Sequence, residues 1–363
     1  IKMIVIPLVM SSIVIGITSA GDTSTLKHLG MRIGPYFVFT TIMAVVIGVS
    51  VSLLIQPGKS ASQDMVANTE VATQTTQTKE FSTSTIPDMI VNLIPVNSAQ
   101  AELDSNILFF VILALFMGAA LLNMKDKDAQ PLLQLFNSLQ AFSMTIVGWA
   151  MKLAPLAVFG LLCSITIKVG VDAIISMVYY ILTVVVGLLV LLTFYLFIIY
   201  TFSGIKPLTF LSYAKEVQLM AFSTSSSAAV MPLSMETAET KLKVPQSVSK
   251  FIIPLGATVN MDGTALYQVC AAIFLTQLFG IDLTFTELIV LSITTVGASI
   301  GAPSTPGVGI VILATILQNI GVPVEGIALI LGVDRILDMC RTTINVTGDL
   351  TASIVMSKYG KDQ

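Results

Sequence analysis

Residues 331–350 read LGVDRILDMCRTTINVTGDL, and inside them Asp334, Asp338, Arg341, Asn345 and Asp349 recur at spacings of four, three, four and four. That period lays the five groups along one face of a helix, with Thr342 beside them. The residues on either side are almost all apolar. In hydrocarbon each such charge costs roughly 2.5–3.5 kcal/mol at a helix centre on insertion scales. A stripe of three carboxylates and a guanidinium therefore faces a cavity rather than lipid, and it is the first place to look for function.

The rest of the chain supplies that apolar setting. Of 363 residues 55% are hydrophobic and 11% charged, against about 25% charged in a soluble domain. Stretches at 36–55, 107–123, 143–166, 174–203, 250–280 and 326–356 are long enough to cross a bilayer at about 20 residues each. Shorter ones at 286–300 and 308–320 are separated by Gly and Pro. The composition points to an all-α polytopic membrane protein and excludes a single soluble core. The net charge of −3 gives no basic surface for nucleic acid. Cys163, Cys270 and Cys340 are scattered through apolar segments and His28 is the only histidine, so neither a zinc site nor a haem site is expected.

Basic residues set the orientation. Lys27 and Arg32, Lys125 and Lys127, Lys206 and Lys215, Lys241, Lys243 and Lys250, and Lys358 and Lys361 fall in alternate connections, while 281–285 and 320–326 carry none. The positive-inside rule makes the first set cytoplasmic and the second external. In residues 59–85, 14 of 27 are Ser, Thr or Gln, a composition of a solvated external loop.

Two apolar segments break in the middle. Between Lys215 and Lys250 the run Ser223-Thr224-Ser225-Ser226-Ser227 turns the chain back to the side it came from. Between two external connections, Ser299-Ile300-Gly301-Ala302-Pro303-Ser304-Thr305-Pro306-Gly307-Val308-Gly309 does the same. Re-entrant hairpins from opposite faces are the pattern of an inverted repeat in a secondary transporter. Such backbone is tolerated at membrane depth where it lines protein or water. Each hairpin precedes a polar spanning segment. In the first, Gly256 and Gly263 bracket a stretch expected to unwind and offer carbonyls, with Asn260 and Asp262, to a hard cation. A serine hydrolase is disfavoured because no base accompanies the serine triplet. A pore would use a polar stripe too, but paired hairpins suit occlusion better than free flow.

The Ser225-Ser226-Ser227 triplet, the run Asn260-Met261-Asp262-Gly263-Thr264 and the segment from Asp338 to Asp349 resemble the dicarboxylate/amino acid:cation symporters, which include archaeal aspartate transporters and mammalian excitatory amino acid transporters. The resemblance covers nearly the whole chain and implies an elevator-type fold in a homotrimer in the cell membrane. Residues 1–20 resemble the end of the family's second helix, so the sequence reads as N-terminally truncated. The implied divisions are 21–58 (core helix), 59–85 (external loop), 86–168 (scaffold), 169–205 (core helix), 206–249 (first hairpin), 250–280 (polar helix), 281–323 (second hairpin) and 324–363 (last helix).

Carried over by position, the resemblance gives Asp338 the substrate's amino group and Arg341 its side-chain carboxylate. Thr264, Thr342 and Asn345 bind the remaining polar atoms, and the backbone of Ser225, Ser226, Thr305 and Gly309 closes around the substrate. No cofactor is implied beyond Na⁺ as coupling ion. Asp349 and Asn345 with the carbonyls of Gly256 and Asn260 resemble one Na⁺ site. Asp262 and Asn260 with Thr40 and Thr41 resemble a second, and Thr258 with Ser299, Ile300 and Ala302 a third. Arg341 favours an acidic amino acid, aspartate or glutamate. The alternative is a C4-dicarboxylate or neutral amino acid symporter of the same fold, with protons as its coupling ion. Several positions depart from the family pattern. Thr224 and Met339 stand where relatives place an arginine, and Arg335 is the candidate to replace it. Phe37 stands for a tyrosine, Gln268 for a glutamate linked to proton coupling, and the tip 302–305 carries an added proline.

Overall fold

The computed structural model describes residues 24–59, 107–169, 172–300, 308–319 and 326–358, together with parts of 6–18. The polar loop 59–85 beyond residue 59, the tip residues Ala302 and Thr305 and the connection 320–325 lie outside the described residues, as does most of segment 1–20. Among the described residues every element is an α-helix. In chain order they are α1 (Ser24–Ile55), α2 (Ile107–Asn123), α3 (Asp126–Val169), α4 (Asp172–Ser203), α5 (Pro207–Thr224), α6 (Ser227–Thr240), α7 (Gln246–Val259), α8 (Asp262–Leu278), α9 (Phe285–Ile300), α10 (Val308–Asn319) and α11 (Ile327–Ser357).

The helix that carries the polar stripe is the hub. α11 packs on α4, α7, α5, α8, α3 and α6 and touches α10 and α1. Its partner α8 is buried on all sides, with only Gln277 of its 17 residues partly open. α1 lies along α8, and Gly48 brings them together: a Cβ there would meet Val269 Cγ1 at 2.5 Å and the Leu266 carbonyl at 3.2 Å. Tyr180 of α4 stacks on Phe274 of α8 with centroids 4.8 Å apart. One apolar cluster forms around α8, and a second joins α5, α6, α7 and the end of α11.

Both expected interruptions in the described part of the core are present. α7 stops at Val259, Asn260 (φ −91, ψ 77) and Met261 (φ −105, ψ 46) leave the helical region, and α8 starts at Asp262. The first hairpin breaks at the serine triplet. Ser225 caps α5 with φ +52 and ψ 33, a left-handed conformation uncommon for a residue with a Cβ. Its N–H still donates to the Ala221 carbonyl at 2.9 Å. Ser226 then opens α6, its hydroxyl accepting from Ala229 N–H at 3.3 Å. α6 packs back on α5, and Gln218 Nε2 donates to Thr347 Oγ1 at 3.1 Å, tying the hairpin to α11.

Two expectations about spans are refined. Sequence reading marks an apolar stretch at 143–166 within the scaffold region 86–168. The structure has one helix of 44 residues, about 66 Å long at 1.5 Å per residue. Hydropathy marks the apolar part of α3, not its end. By length and composition, two of the described helices suffice to cross a membrane, Arg32–Ile55 and Ser176–Ser203. The other long polar segments fail that test because 250–280 is broken at Asn260 and α11 carries the stripe. Large apolar side chains point outward along single faces, Phe39, Ile42, Val46 and Leu53 on α1 and Val178, Leu182, Leu189 and Phe197 on α4. A lipid environment suits those faces.

The end of α1 is clamped to the end of α8. Gly58 N–H donates to Gln277 Oε1 at 3.0 Å. A Cβ on Gly58 would lie 2.5 Å from the Phe274 carbonyl oxygen and 2.7 Å from Leu278 N. Those atoms are helix backbone and cannot give way cheaply. Gly58→Ala should therefore lower stability by about 1–3 kcal/mol, read as a lower melting temperature of the detergent-solubilised protein. An unchanged melting curve would show that the clamp is loose.

Candidate functional site

α11 places Asp334, Asp338, Arg341, Asn345 and Asp349 on its buried side, and each is at most 4% exposed. Asp262 joins them from the first turn of α8 and is 0% exposed. Buried charges of this number require partners, and the partners define three neighbouring groups.

The first group surrounds Arg341. Its Nε donates to Asp338 Oδ1 at 3.0 Å and its Nη2 lies 2.9 Å from the same oxygen. Nη1 lies 4.0 Å from Asp334 Oδ1, too far for a hydrogen bond, and has no other acceptor among the described residues. The guanidinium carbon sits 4.6 Å from the centre of the Tyr267 ring, and the Tyr267 hydroxyl donates to Asp334 Oδ1 at 2.7 Å. α10 approaches the same cation. A Cβ on Gly309 would fall 2.0 Å from Arg341 Nη1, so only glycine lets α10 come this close. Gln268 Nε2 donates to the Gly309 carbonyl at 3.3 Å, bracing that contact. Arg335, mostly exposed, reaches Asp338 Oδ2 at 3.9 Å. It therefore reaches the carboxylate that immediately precedes Met339, one of the two positions where relatives carry an arginine.

The second group is built on Asn345. Its side-chain oxygen accepts Gly263 N–H at 2.8 Å, and its Nδ2 donates to Thr264 Oγ1 at 3.2 Å and Met261 Sδ at 3.3 Å. Gly263 permits this approach, because a Cβ there would meet the Arg341 carbonyl oxygen at 2.6 Å. The start of α8, freed by the helix break, is thus held against the middle of α11. Thr342 is buried and donates to the Asp338 carbonyl one turn back, at 2.8 Å.

The third group holds the remaining carboxylates. Asp262 accepts from Thr41 Oγ1 at 2.6 Å through Oδ1 and from Tyr195 Oη at 2.5 Å through Oδ2. Thr40 and Thr41 also donate to the Phe37 carbonyl, at 3.1 and 2.8 Å. Asp349 Oδ1 accepts from Asn260 Nδ2 at 3.0 Å. A Cβ on Gly256 would lie 2.4 Å from that same oxygen. Tyr36 Oη and Asn260 Oδ1 are buried nearby without a hydrogen-bond partner among the described residues. Hydroxyls, amides and carboxylates at this density make an oxygen-rich pocket suited to a hard cation.

The placement of the expected residues is uneven. Asp338, Arg341, Gly309, Thr264 and Asn345 come together, as do Asp262 with Thr40 and Thr41, and Asp349 with Gly256 and Asn260. Asn260 was assigned to both carboxylates, and among the described residues its side chain bonds Asp349. Ser225 and Ser226 sit at the first hairpin's break; Ser225 Oγ is buried without a hydrogen-bond partner among the described residues. Thr258 and Ser299 each return their hydroxyl to their own helix, Thr258 to Pro254 and Leu255 and Ser299 to Val296. No hydrogen bond between their hydroxyls is present among the described residues. The side chain of Ile300, like Ala302 and Thr305, lies outside them. Sequence reading missed Tyr195 and Tyr36 and gave no role to Tyr267 or Asp334. Only Asp334 carried a signal, its place in the stripe.

The Sodium:dicarboxylate symporter family matches residues 1–359. The chain is 37% identical over 368 residues to the proton/sodium-glutamate symport protein of Bacillus subtilis (strain 168), covering 99% of this chain and 83% of the relative. It is 32% identical over 361 residues to the proton/glutamate-aspartate symporter of Escherichia coli (strain K12), covering 99% and 82%. It is also 34% identical over 392 residues to the neutral amino acid transporter B(0) of Oryctolagus cuniculus, covering 99% and 71%.

Among the described residues Tyr267 supplies the hydroxyl hydrogen bond to Asp334. Tyr267→Phe keeps the ring beneath Arg341 and strips the buried carboxylate of that bond. It should lower stability by about 1–3 kcal/mol, measured as a fall in melting temperature in detergent, and a melting temperature equal to wild type would refute the assignment.

Proposed function

The chain belongs to the sodium:dicarboxylate symporter family, and from that premise we propose that it carries an acidic amino acid, L-aspartate or L-glutamate, into the cell together with Na⁺. Members of this family are membrane transporters, so the chain is not an enzyme. The single observation that carries the substrate assignment is the buried Asp338–Arg341 pair on α11, closed over by Gly309.

The chemistry of that pair selects the substrate. An acidic amino acid brings an α-ammonium and a second carboxylate. The ammonium replaces the guanidinium opposite Asp338, and the side-chain carboxylate replaces Asp338 opposite Arg341. Each buried charge exchanges one partner for another and none is left alone, which avoids the heavy cost of an unpaired buried ion. A neutral amino acid satisfies Asp338 and leaves Arg341 with nothing new. A C4-dicarboxylate satisfies Arg341 and leaves Asp338 facing an anion. Thr264, Thr342 and Asn345 stand beside the pair for the remaining polar atoms, with the tips of both hairpins (Ser225, Ser226, Thr305) closing the site. Relatives named as glutamate and glutamate-aspartate symporters support the acidic reading; the rabbit relative, named a neutral amino acid transporter, marks the alternative.

For the coupling ion, the oxygens around Asp262 and around Asp349 form two sites, and Thr258 with Ser299, Ile300 and Ala302 forms a third when the second hairpin shuts. Cations that hold that hairpin closed favour substrate, and substrate favours the cations in return. The Bacillus relative is named for both proton and sodium, so Na⁺ is the choice that needs the test. Transport proceeds as an elevator in a homotrimer of the cell membrane. In it α1, α4, the two hairpins, α7–α8 and α11 move as the core.

Uptake of radiolabelled L-aspartate into proteoliposomes should require an inward Na⁺ gradient and fail in choline at equal pH. Equal uptake in choline would assign the coupling to protons instead. Arg341→Ala should weaken aspartate binding by roughly 2–5 kcal/mol, between about thirtyfold and a few thousandfold, while serine competes better than in wild type. A variant that keeps its aspartate affinity would remove Arg341 from the site.

A further inference from the structure

Gly348 immediately precedes Asp349 on α11 and lies in the interior of a helix, where glycine is among the poorest formers. Its backbone is not left-handed, so conformation does not call for glycine here. Space does. A Cβ on Gly348 would lie 2.7 Å from Asn260 Nδ2 and 2.7 Å from Tyr195 Oη. These two atoms are donors to different carboxylates: Asn260 Nδ2 holds Asp349 and Tyr195 Oη holds Asp262. The bare α-carbon of Gly348 is the floor on which both donors rest.

We infer that Gly348 is a positioning residue that locks the two carboxylate sites to one another. The inference rests on the reading of Asp262 and Asp349 as cation sites. Asn260 and Tyr195 converge on Gly348 from the α7–α8 joint and from α4. Neither tip can yield without lengthening its bond to a carboxylate, since both side chains are buried. A shift in one tip opens room for the other across the same α-carbon. Loading at Asp349 is therefore transmitted to Asp262 through the Asn260–Gly348–Tyr195 contact, and a methyl group at 348 perturbs both sites together. Asp338 and Arg341 lie about two to three turns away along α11 and are not among the atoms a Cβ at Gly348 would meet.

Gly348→Ala is compared with wild type, and Gly348→Ala/Tyr195→Phe with Tyr195→Phe, in proteoliposomes, following L-aspartate uptake against Na⁺ concentration. In Gly348→Ala the half-saturating Na⁺ concentration should rise about 10- to 100-fold, as when the supporting partners of a metal ligand are disturbed, and the Hill slope should fall. The half-saturating aspartate concentration at saturating Na⁺ should stay close to wild type. Tyr195→Phe removes one of the two collisions together with the hydrogen bond to Asp262, so Gly348→Ala should cost less Na⁺ affinity on the Tyr195→Phe background than on wild type. A wild-type Na⁺ curve in Gly348→Ala overturns the inference. So does an equal loss of Na⁺ affinity on the wild-type and Tyr195→Phe backgrounds, or the failure of both Gly348→Ala proteins to fold, since either makes Gly348 a matter of packing alone. If wild type itself proves indifferent to Na⁺, the Na⁺ assignment falls, and the same comparison is read on the proton-gradient curve. An unshifted curve there overturns the positioning role as well.

Discussion

Charge that has lost its water must find its partners inside the protein, and this requirement organises the molecule around α11. Asp338 is matched by Arg341, Asp334 by the Tyr267 hydroxyl, Asp349 by Asn260, and Asp262 by Thr41 and Tyr195. Apart from Arg341, which lies on α11 itself, the donors come from α1, α4, the α7–α8 joint and α8, so satisfying the carboxylates is the same act as assembling the core. An apolar core of equal volume would be easier to stabilise, because burying ion pairs gains little net free energy. Retaining the charges makes sense where their partners are to be exchanged for those of a ligand.

Close approach is the second constraint, and four glycines provide it. Gly256, Gly263, Gly309 and Gly348 each stand where a Cβ would collide with a polar atom of the site or with the α11 backbone beside it. Three sit inside or at the start of helices next to the break or the stripe, and Gly309 brings the second hairpin to the guanidinium. Without side chains these positions let backbone and functional groups meet at distances that ordinary helix packing forbids.

Much of this arrangement was legible in the sequence because it breaks local rules. Aspartates and an arginine in an apolar helix, serines in the middle of an apolar arm, and Asn260-Met261-Asp262 between two glycines are all anomalous where they stand. The anomalies mark α11, the break at Ser225 and the joint at Asn260. What could not be read depends on contacts between distant segments. Tyr195 lies on an apolar helix with Tyr179, Tyr180 and Tyr200, Tyr36 stands alone on another, and no period distinguishes the residue that meets a carboxylate. Whether Asn260 serves Asp262 or Asp349 is a question of how two helices cross, which spacing does not answer. The length of α3 escaped for another reason. Its polar first half continues the helix, and hydropathy does not register a helix in polar sequence.

The burial of α8 on every side has a mechanical consequence. A helix with one free face can slide or tilt while its neighbours stay put. α8 has no such face; from Asp262 to Leu278 it is walled by α1, α4, α9, α10 and α11. Close-packed interiors of this kind switch between discrete arrangements rather than deform smoothly. The beginning of α8 can adjust at the Asn260–Met261 joint, but its body is a fixed axle within its sleeve. Displacement of the site across any distance must carry axle and sleeve together, and slip has to occur at the outer surface of the bundle, where the side chains are already greased with Phe, Leu and Val.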